Sequence, residues 1–566
     1  MKKIIYISFL ALSTLTISCT SDILDTENLF EQSLETFYKT PDDIAAAMGG
    51  VYTSLYVNGV HSNEHVTANL LSDMMFAGGG PDDISAKNAD AFLDPSVDTY
   101  RDLWRETYNG VTRANAVIEK VENTDFSAFF DTNAAADKFK NQVIGEAYFM
   151  RAFLYFRAAK FFGGLPLILK VSDDRTVARS SFEETFAQIA SDLKKAIETL
   201  PNENQSSIPT SEYGHANRWV AEAYMGRVFL FYTGYMTNMA GSATSELPLT
   251  DGGSLSKTNV AGYLQDCISS SGYSLTPDFR NLWPYSYVNE SAGSVVLPWA
   301  DTEGLAWVGQ DGHSPTFGTG NNETMFAFRY TTTTWGQGQK YNNRVPLFFG
   351  IRDNSMVPFG QGWGWGTVNP TLWNSWNDAD PRKLGSILQV GKAEQGTGSY
   401  QADKGDHETG LVNKKYTTIQ HDGAKGVQGM FSYLYNQIDA DMQLWAAQDF
   451  IFMRFADVLL MHSEITETAT GLNLVRQRAT LPAIGYSLNA IKQERLHEFS
   501  FEGLRWFDIV RWGDVDTAFN GSINVRNSGV DATYKVTYRS ETKGLLPIPE
   551  TEIDLSHGAY KQNPGW

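Results

Sequence analysis

The stretch "NQVIGEAYFMRAFLYFRAAKFFGG" (residues 141–164) limits the chain most severely. It is helical in period yet apolar around most of its circumference, so it is expected to be a buried helix. Gly163–Gly164 end it, and Pro166 prevents its resumption. The next segment, "SFEETFAQIASDLKKAIETLP" (181–201), is amphipathic. Ser181 and Glu184 form a capping box; Phe182, Phe186, Ile189, Leu193, Ile197 and Leu200 recur every three or four residues, and Pro201 stops the helix. "TPDDIAAAMGGVYTSLY" (40–56) opens in the same way, with Thr40 as N-cap, Pro41 in the first turn and Asp43 three residues after the cap. Helices of this kind cannot bury their apolar faces alone, so they stack on one another.

A further helical segment, "RWVAEAYMGRVFLFYTGY" (218–235), places Ala221, Ala223 and Gly226 where close helix packing needs small residues. Paired helices with small residues at fixed offsets resemble tetratricopeptide repeats. Between about 240 and 445 the character changes to glycine, asparagine, threonine and aromatic residues, with short runs such as "SVVLPW" and "TMFAFRY" that read as strands. Helical periodicity returns at "DFIFMRFADVLLMHSEITETATG" and "SLNAIKQERLHEFSFEGLRWFDIVRWG", and "LLPIPETEIDLSHGAYKQNPGW" reads as extended. The expected fold is mainly α. A tetratricopeptide-like helical-pair scaffold (about 40–240 and 445–520) is interrupted by a long loop-rich insertion (about 241–444) carrying short strands, and an extended tail (521–566) follows. Long insertions on rigid scaffolds usually carry function.

The net charge of −20 argues against a nucleic-acid partner, since no clustered Lys and Arg are present to release counterions from phosphates. At the start of the chain, Lys2 and Lys3 precede the apolar run "IIYISFLALSTLTI", which suits a signal peptide over residues 1–18. Ser18–Cys19 resembles a bacterial lipoprotein cleavage site, which makes Cys19 the acylated terminus of a short tether (19–39) anchored in outer-membrane lipid. The acidic "TSDILDTE" behind it resembles signals that send lipoproteins to the cell surface in some Gram-negative bacteria. Cys267 is then left without a partner, so no disulfide is expected and the thiol reads as a small core residue.

Five segments resemble the signatures of the SusD/RagB family: "MRAFLYFRAAKFFGGLPLI" (150–168), "MRFADVLLMHSEI" (453–465), "LNLVRQRA" (472–479), "IKQERLHEFSFEGLRWFDIVRWG" (491–513) and "LLPIPETEID…KQNPGW" (545–566). They occur in the family's order over nearly the whole mature chain. The resemblance implies a surface lipoprotein that captures oligo- or polysaccharide and delivers it to a SusC-like TonB-dependent outer-membrane transporter, without catalysis and without a cofactor. In the fourth segment, Glu494, Arg495, Glu498, Glu502, Arg505, Asp508 and Arg511 fall at spacings that allow ion pairs along a helix, the mark of a packing element.

Two other chemistries compete. "HSNEH" (61–65) fits the H-x-x-E-H zinc pattern, but Asn58–Gly59 immediately before it and the lack of a third ligand motif argue against metal. With 65 acidic residues, the carboxylate pair of a glycoside hydrolase can always be found on paper, so a surface hydrolase remains an alternative, as does a helical scaffold that binds only protein.

Sugars present apolar C–H faces and polar edges, which aromatic rings and polar side chains match. Eight of the fourteen tryptophans lie between Trp283 and Trp376, on a stretch rich in helix breakers, which favours display of at least some rings. In "FGQGWGWGTVNPTLWNSW" (359–376), Trp363 and Trp365 would share one side of a strand and are candidates for display; Trp373 and Trp376, three apart after Pro370, are candidates for burial. "RYTTTTWGQGQ" adds Tyr330 and Trp335. The family resemblance adds an early loop, here "LLSDMMFAGGGPDD" (70–83), with Asp73 as a hydroxyl acceptor and Phe76 as a stacking ring.

Overall fold

The computed structural model describes residues 37–56, 64–93, 98–209, 212–277, 279, 282, 322–328, 330, 343–352, 362–392, 402–417, 449–519 and 521–566. The signal peptide, Cys19 and Trp335 lie outside the described residues. The helices used below are α1 (Pro41–Tyr52), α2 (Glu64–Leu70), α3 (Ile84–Asp90), α4 (Arg101–Val121), α5 (Asn133–Phe162), α6 (Phe182–Thr199), α7 (Arg218–Asn238), α8 (Lys257–Ser270), α9 (Val345–Phe349), α10 (Pro370–Ser375), α11 (Pro381–Ser386), α12 (Phe455–Thr466), α13 (Thr470–Arg478), α14 (Leu488–Glu498) and α15 (Arg505–Trp512). None of the described helices is long and apolar enough to cross a membrane.

The mainly helical scaffold expected from the periodicity is present: α4, α5, α6, α7 and α8 pack in succession, and α12 and α15 close the stack against α7. The two capping boxes are formed, at Thr40/Asp43 and at Ser181/Glu184. Helix α5 runs for 30 residues, is covered over most of its second half, and ends at Gly163, whose φ of 77° only glycine adopts without strain. On α6, Phe186, Ile189, Leu193 and Ile197 are buried. Gly226 lets α8 approach α7, because a Cβ there would lie 2.8 Å from the Leu264 side chain. Cys267 is a buried free thiol.

Small antiparallel sheets join the insertion to this frame, and β2 (Glu246–Pro248) pairs with β3 (Ser254–Ser256) just before α8. Strands β1 (Met75–Phe76), β5 (Thr367–Val368), β7 (Leu411–Asn413) and β6 (Ile387–Gln389) lie side by side in that order. Strand β4 (Thr324–Phe328) pairs with β8 (Phe450–Arg454), which leads directly into α12. Three strands of the insertion are thus built onto the early loop.

Two expectations need correction. The segment 491–513 is not one helix. It breaks between α14 and α15, where Phe501 and Gly503 have φ of 62° and 74°, and a Cβ at Gly503 would meet His65 at 2.9 Å. The charged residues consequently pair between elements and not mainly along a helix. Glu498 accepts from Arg382, Arg454 and Arg478, and Glu502 holds Lys415 and Arg454. Only Arg511–Asp508 is a pair within one helix of this segment. The tail, for its part, is not extended throughout. It folds into a hairpin, β9 (Ile523–Asn527) with β10 (Val530–Tyr534), and a short helix at Glu550–Leu555.

Candidate functional site

The two stretches singled out for display meet. Met75 and Phe76 pair with Val368 and Thr367, and beyond the strand the Gly79 amide donates to the Gly364 carbonyl at 2.9 Å. Gly79 is clamped from its other side by the Asp406 amide, which donates to its carbonyl at 2.7 Å. With φ of 83°, Gly79 passes so near the Trp365 ring that a Cβ would lie 2.8 Å from it. The close approach that Gly79 permits is therefore to an indole of the same chain.

The tryptophans sort differently from the strand-based expectation. Trp365 is only 3% exposed, stacked on Phe348 with centroids 5.4 Å apart and planes 19° apart. Trp363 is partly exposed and leans on both rings, 5.3 Å from Phe348 and 5.7 Å from Trp365. The cause is Gly364 and Gly366, each with φ of 73°, which turn the backbone so that alternate residues no longer share one side. Trp365 is thus a backing ring, and Trp363 the accessible one.

Charged groups frame Trp363. The Arg344 guanidinium lies 5.5 Å from its ring centroid and 5.3 Å from that of Phe348. Arg352 donates to the Trp363 carbonyl at 3.0 Å and to Asp83 at 3.2 Å, while Asp83 also accepts from the Gly80 amide at 2.6 Å. An indole face beside a guanidinium can stack on the apolar face of a sugar ring while N–H groups address its hydroxyls. Sequence reasoning missed Arg344 and Arg352. Neither belongs to a periodic pattern, and only their nearness to "GWGW" across the fold marks them.

The other candidates take different places. Phe76 is 1% exposed, its ring covered edge-on by Tyr534 of the β9–β10 hairpin at 5.7 Å, so it is a core residue and not a stacking platform. Asp73 is not a free acceptor: Arg505 engages both its oxygens, at 2.8 and 2.7 Å. Asp73 and Phe76 do line a cleft of about 110 Å³ with Asn369, Thr371, Phe519 and Val536. Tyr330 is partly buried, in edge contact with Tyr56 and Phe328 and not with the Trp363 group. Trp376 is buried as expected, stacked on His497 at 4.5 Å and donating to Asp380 at 3.0 Å. Trp373 departs from expectation, since it is partly exposed with the Lys383 ammonium 4.3 Å from its ring centroid.

For the zinc pattern, His61 lies outside the described residues. Glu64 pairs with Lys160, and His65 is buried with its pKa pushed down to about 3 by desolvation. Among the described residues, no group of three or more His, Cys, Asp or Glu side chains is arranged to hold a metal.

Residues 335–566 match the SusD family, and residues 22–230 match the family described as "Starch-binding associating with outer membrane". SusD-like protein P2 of Formosa agariphila is 23% identical over 565 residues, covering 94% of each chain. Among solved structures, a laminarin binding SusD-like protein superposes with a TM-score of 0.70 at 23% identity, over 94% of this chain and 100% of the other. Surface glycan-binding protein A from Bacteroides thetaiotaomicron, in complex with laminarihexaose, superposes with a TM-score of 0.67 at 20% identity, over 93% of this chain and 100% of the other. Those likenesses establish the fold, and the two family matches bracket it from the first helices to the final residue. The chain belongs to the SusD/RagB family.

Proposed function

We propose that this protein is a cell-surface glycan-binding lipoprotein that captures oligo- or polysaccharide and hands it to a SusC-like TonB-dependent transporter. Glycan-binding proteins of the SusD family are non-catalytic, and binding alone is the role assigned here. Acylated Cys19 tethers the chain to outer-membrane lipid in this reading. The observation that carries the proposal is the partly exposed Trp363 ring, braced by Phe348 and Trp365 with the Arg344 guanidinium against it. Three rings and a guanidinium held by packing lose little conformational freedom when a sugar docks, which is what favours affinity at a shallow site.

Laminarin is the first ligand to try, because one protein of this fold is named as laminarin binding and another is described in complex with laminarihexaose. The test is a glycan array followed by affinity electrophoresis, with reducing ends assayed after incubation. Retention on at least one glycan without release of new reducing ends is the expected result. Release of reducing ends would establish the hydrolase, and binding to no carbohydrate would leave the protein-only scaffold.

A further inference from the structure

The buried charges of the frame form two clusters, and they differ in balance. Around Glu498, five cations (Arg382, Lys415, Arg454, Arg476, Arg478) meet five carboxylates, those of Asp380, Glu323, Glu494, Glu498 and Glu502. The second cluster lies between α2, α5, α7, α12, α14 and α15. There Asp457 joins Arg227 to Arg495, Asp508 joins Arg495 to Arg511, and Glu464 holds Arg511. Glu64, the one remaining carboxylate, is shared by Lys160 at 2.5 Å and Arg157 at 3.6 Å. The cluster therefore carries one more cation than carboxylates.

The surplus falls on Arg157. It is 3% exposed, and its Nε has no hydrogen-bond partner among the described residues, Glu64 Oε2 standing 3.6 Å away. Glu106 on α4 acts on it only through space and is itself beside Arg105, at 3.6 Å. A buried lysine can shed its proton to escape such a position, whereas an arginine cannot. A buried charge that only shares a carboxylate with Lys160 is costly, so the surplus has to be neutralised by a further negative partner.

Arg157 lines a small cavity with Glu64, Lys160, Tyr224, Arg227 and Phe450, and Lys160 and Arg227 separate it from a second cavity beside Arg495. Each has room for about 20 Å³, which holds one small ion or a water or two and excludes a sugar. The Tyr224 hydroxyl accepts from Arg227 at 3.5 Å and keeps its own proton available to donate. On the lining of the first cavity three cations, Arg157, Lys160 and Arg227, outnumber two carboxylates, Glu64 and Glu502, although Glu64 Oε2 is also without a hydrogen-bond partner.

We propose that the cavity between α2, α5 and α7 binds a small monovalent anion of the halide class, held by Arg157 with Lys160 and Tyr224. The ion completes the charge balance and ties α2, which leads into the 70–83 loop, to the long helix α5. The inference does not depend on what the protein binds at its surface.

Thermal unfolding of the mature chain in potassium bromide and in potassium gluconate, at equal ionic strength, tests it. The expected result is a Tm that climbs with the logarithm of bromide concentration and stays flat in gluconate. Crystals grown in bromide should show an anomalous peak in contact with the Arg157 guanidinium. Arg157→Met should abolish the bromide slope whatever its absolute Tm. Should that variant not fold, Glu64→Gln, which adds a second uncompensated positive charge, should steepen the slope. Equal melting in the two salts, or bromide peaks that leave Arg157 bare, would overturn the proposal.

Discussion

The α5–α6 pair and the "GWGWG" segment are both dense in aromatic residues, yet their side chains were not equally readable. On α6 the apolar residues sit on a regular helix, so spacing alone names the buried set, and Phe186, Ile189, Leu193 and Ile197 are indeed buried. Between Gly362 and Gly366 the backbone has no repeating dihedral. Two glycines at φ of 73° send neighbouring indoles to different depths, Trp365 inside and Trp363 at the surface. Periodicity predicts burial only where the backbone is periodic. Where glycine sets the path, the fold decides which ring is buried and which stays accessible.

That contrast can be broken by substitution. The largest effects belong to the interior. Glu498→Gln leaves Arg382, Arg454 and Arg478 short of their shared anion, and removing one partner of such a buried group costs roughly 3–5 kcal/mol. Denaturant unfolding checks this; a change under about 1 kcal/mol would show that the cluster repairs itself. Trp365→Ala empties the space between Phe348 and Gly79 and should cost roughly 3–5 kcal/mol, the range for deleting a buried aromatic. A wild-type melting curve for that variant would move Trp365 from the core to the surface.

Asp90 gives a pH-dependent case. It is buried beneath the hairpin, accepts from Tyr534 at 2.7 Å and from the Ala77 amide at 3.2 Å, and desolvation pushes its pKa up to about 7. The folded state therefore holds this proton more tightly than the unfolded chain, whose aspartate titrates near 3.8. Its contribution is full below pH 4 and is lost as pH rises toward 7, by up to about 1.4 kcal/mol per pH unit. Asp90→Asn should remove that slope while keeping an acceptor for Tyr534. Stability measured in urea from pH 4 to 7, wild type against variant, reads the difference; parallel curves would contradict the assignment.

Gly364→Ala probes the turn itself. A side chain at φ of 73° is strained, and its Cβ would approach that of Arg352 at 2.8 Å, so a loss of about 1–2 kcal/mol is expected. It should also disturb glycan retention, because Trp363 follows the same backbone. Retention unchanged alongside lowered stability would separate the turn from the site.

The legible part of this protein is its frame. Capping boxes at Thr40 and Ser181, the glycine stop at Gly163 and the buried Cys267 all follow from local chemistry that tertiary contacts reinforce. Phe76, Asp73 and Trp365 depart from their sequence-based expectation for a shared reason: their partners come from sequence hundreds of residues away or from glycine-governed backbone. Tyr534 covers Phe76, Arg505 claims Asp73, and Phe348 takes the face of Trp365. Arg344 and Arg352 were invisible because a lone arginine in a loop carries no signal until the fold sets it beside a ring.

The smallest expected change in stability belongs to Trp363, the residue on which the proposed function rests. Isothermal titration of the best-retained glycan into wild type and Trp363→Ala, with melting curves for both, tests the central claim directly. The account predicts that binding heat disappears or affinity falls at least about tenfold, the loss of one stacking contact worth about 1.4 kcal/mol, while the melting curve shifts little. Wild-type affinity in a well-folded Trp363→Ala would contradict it.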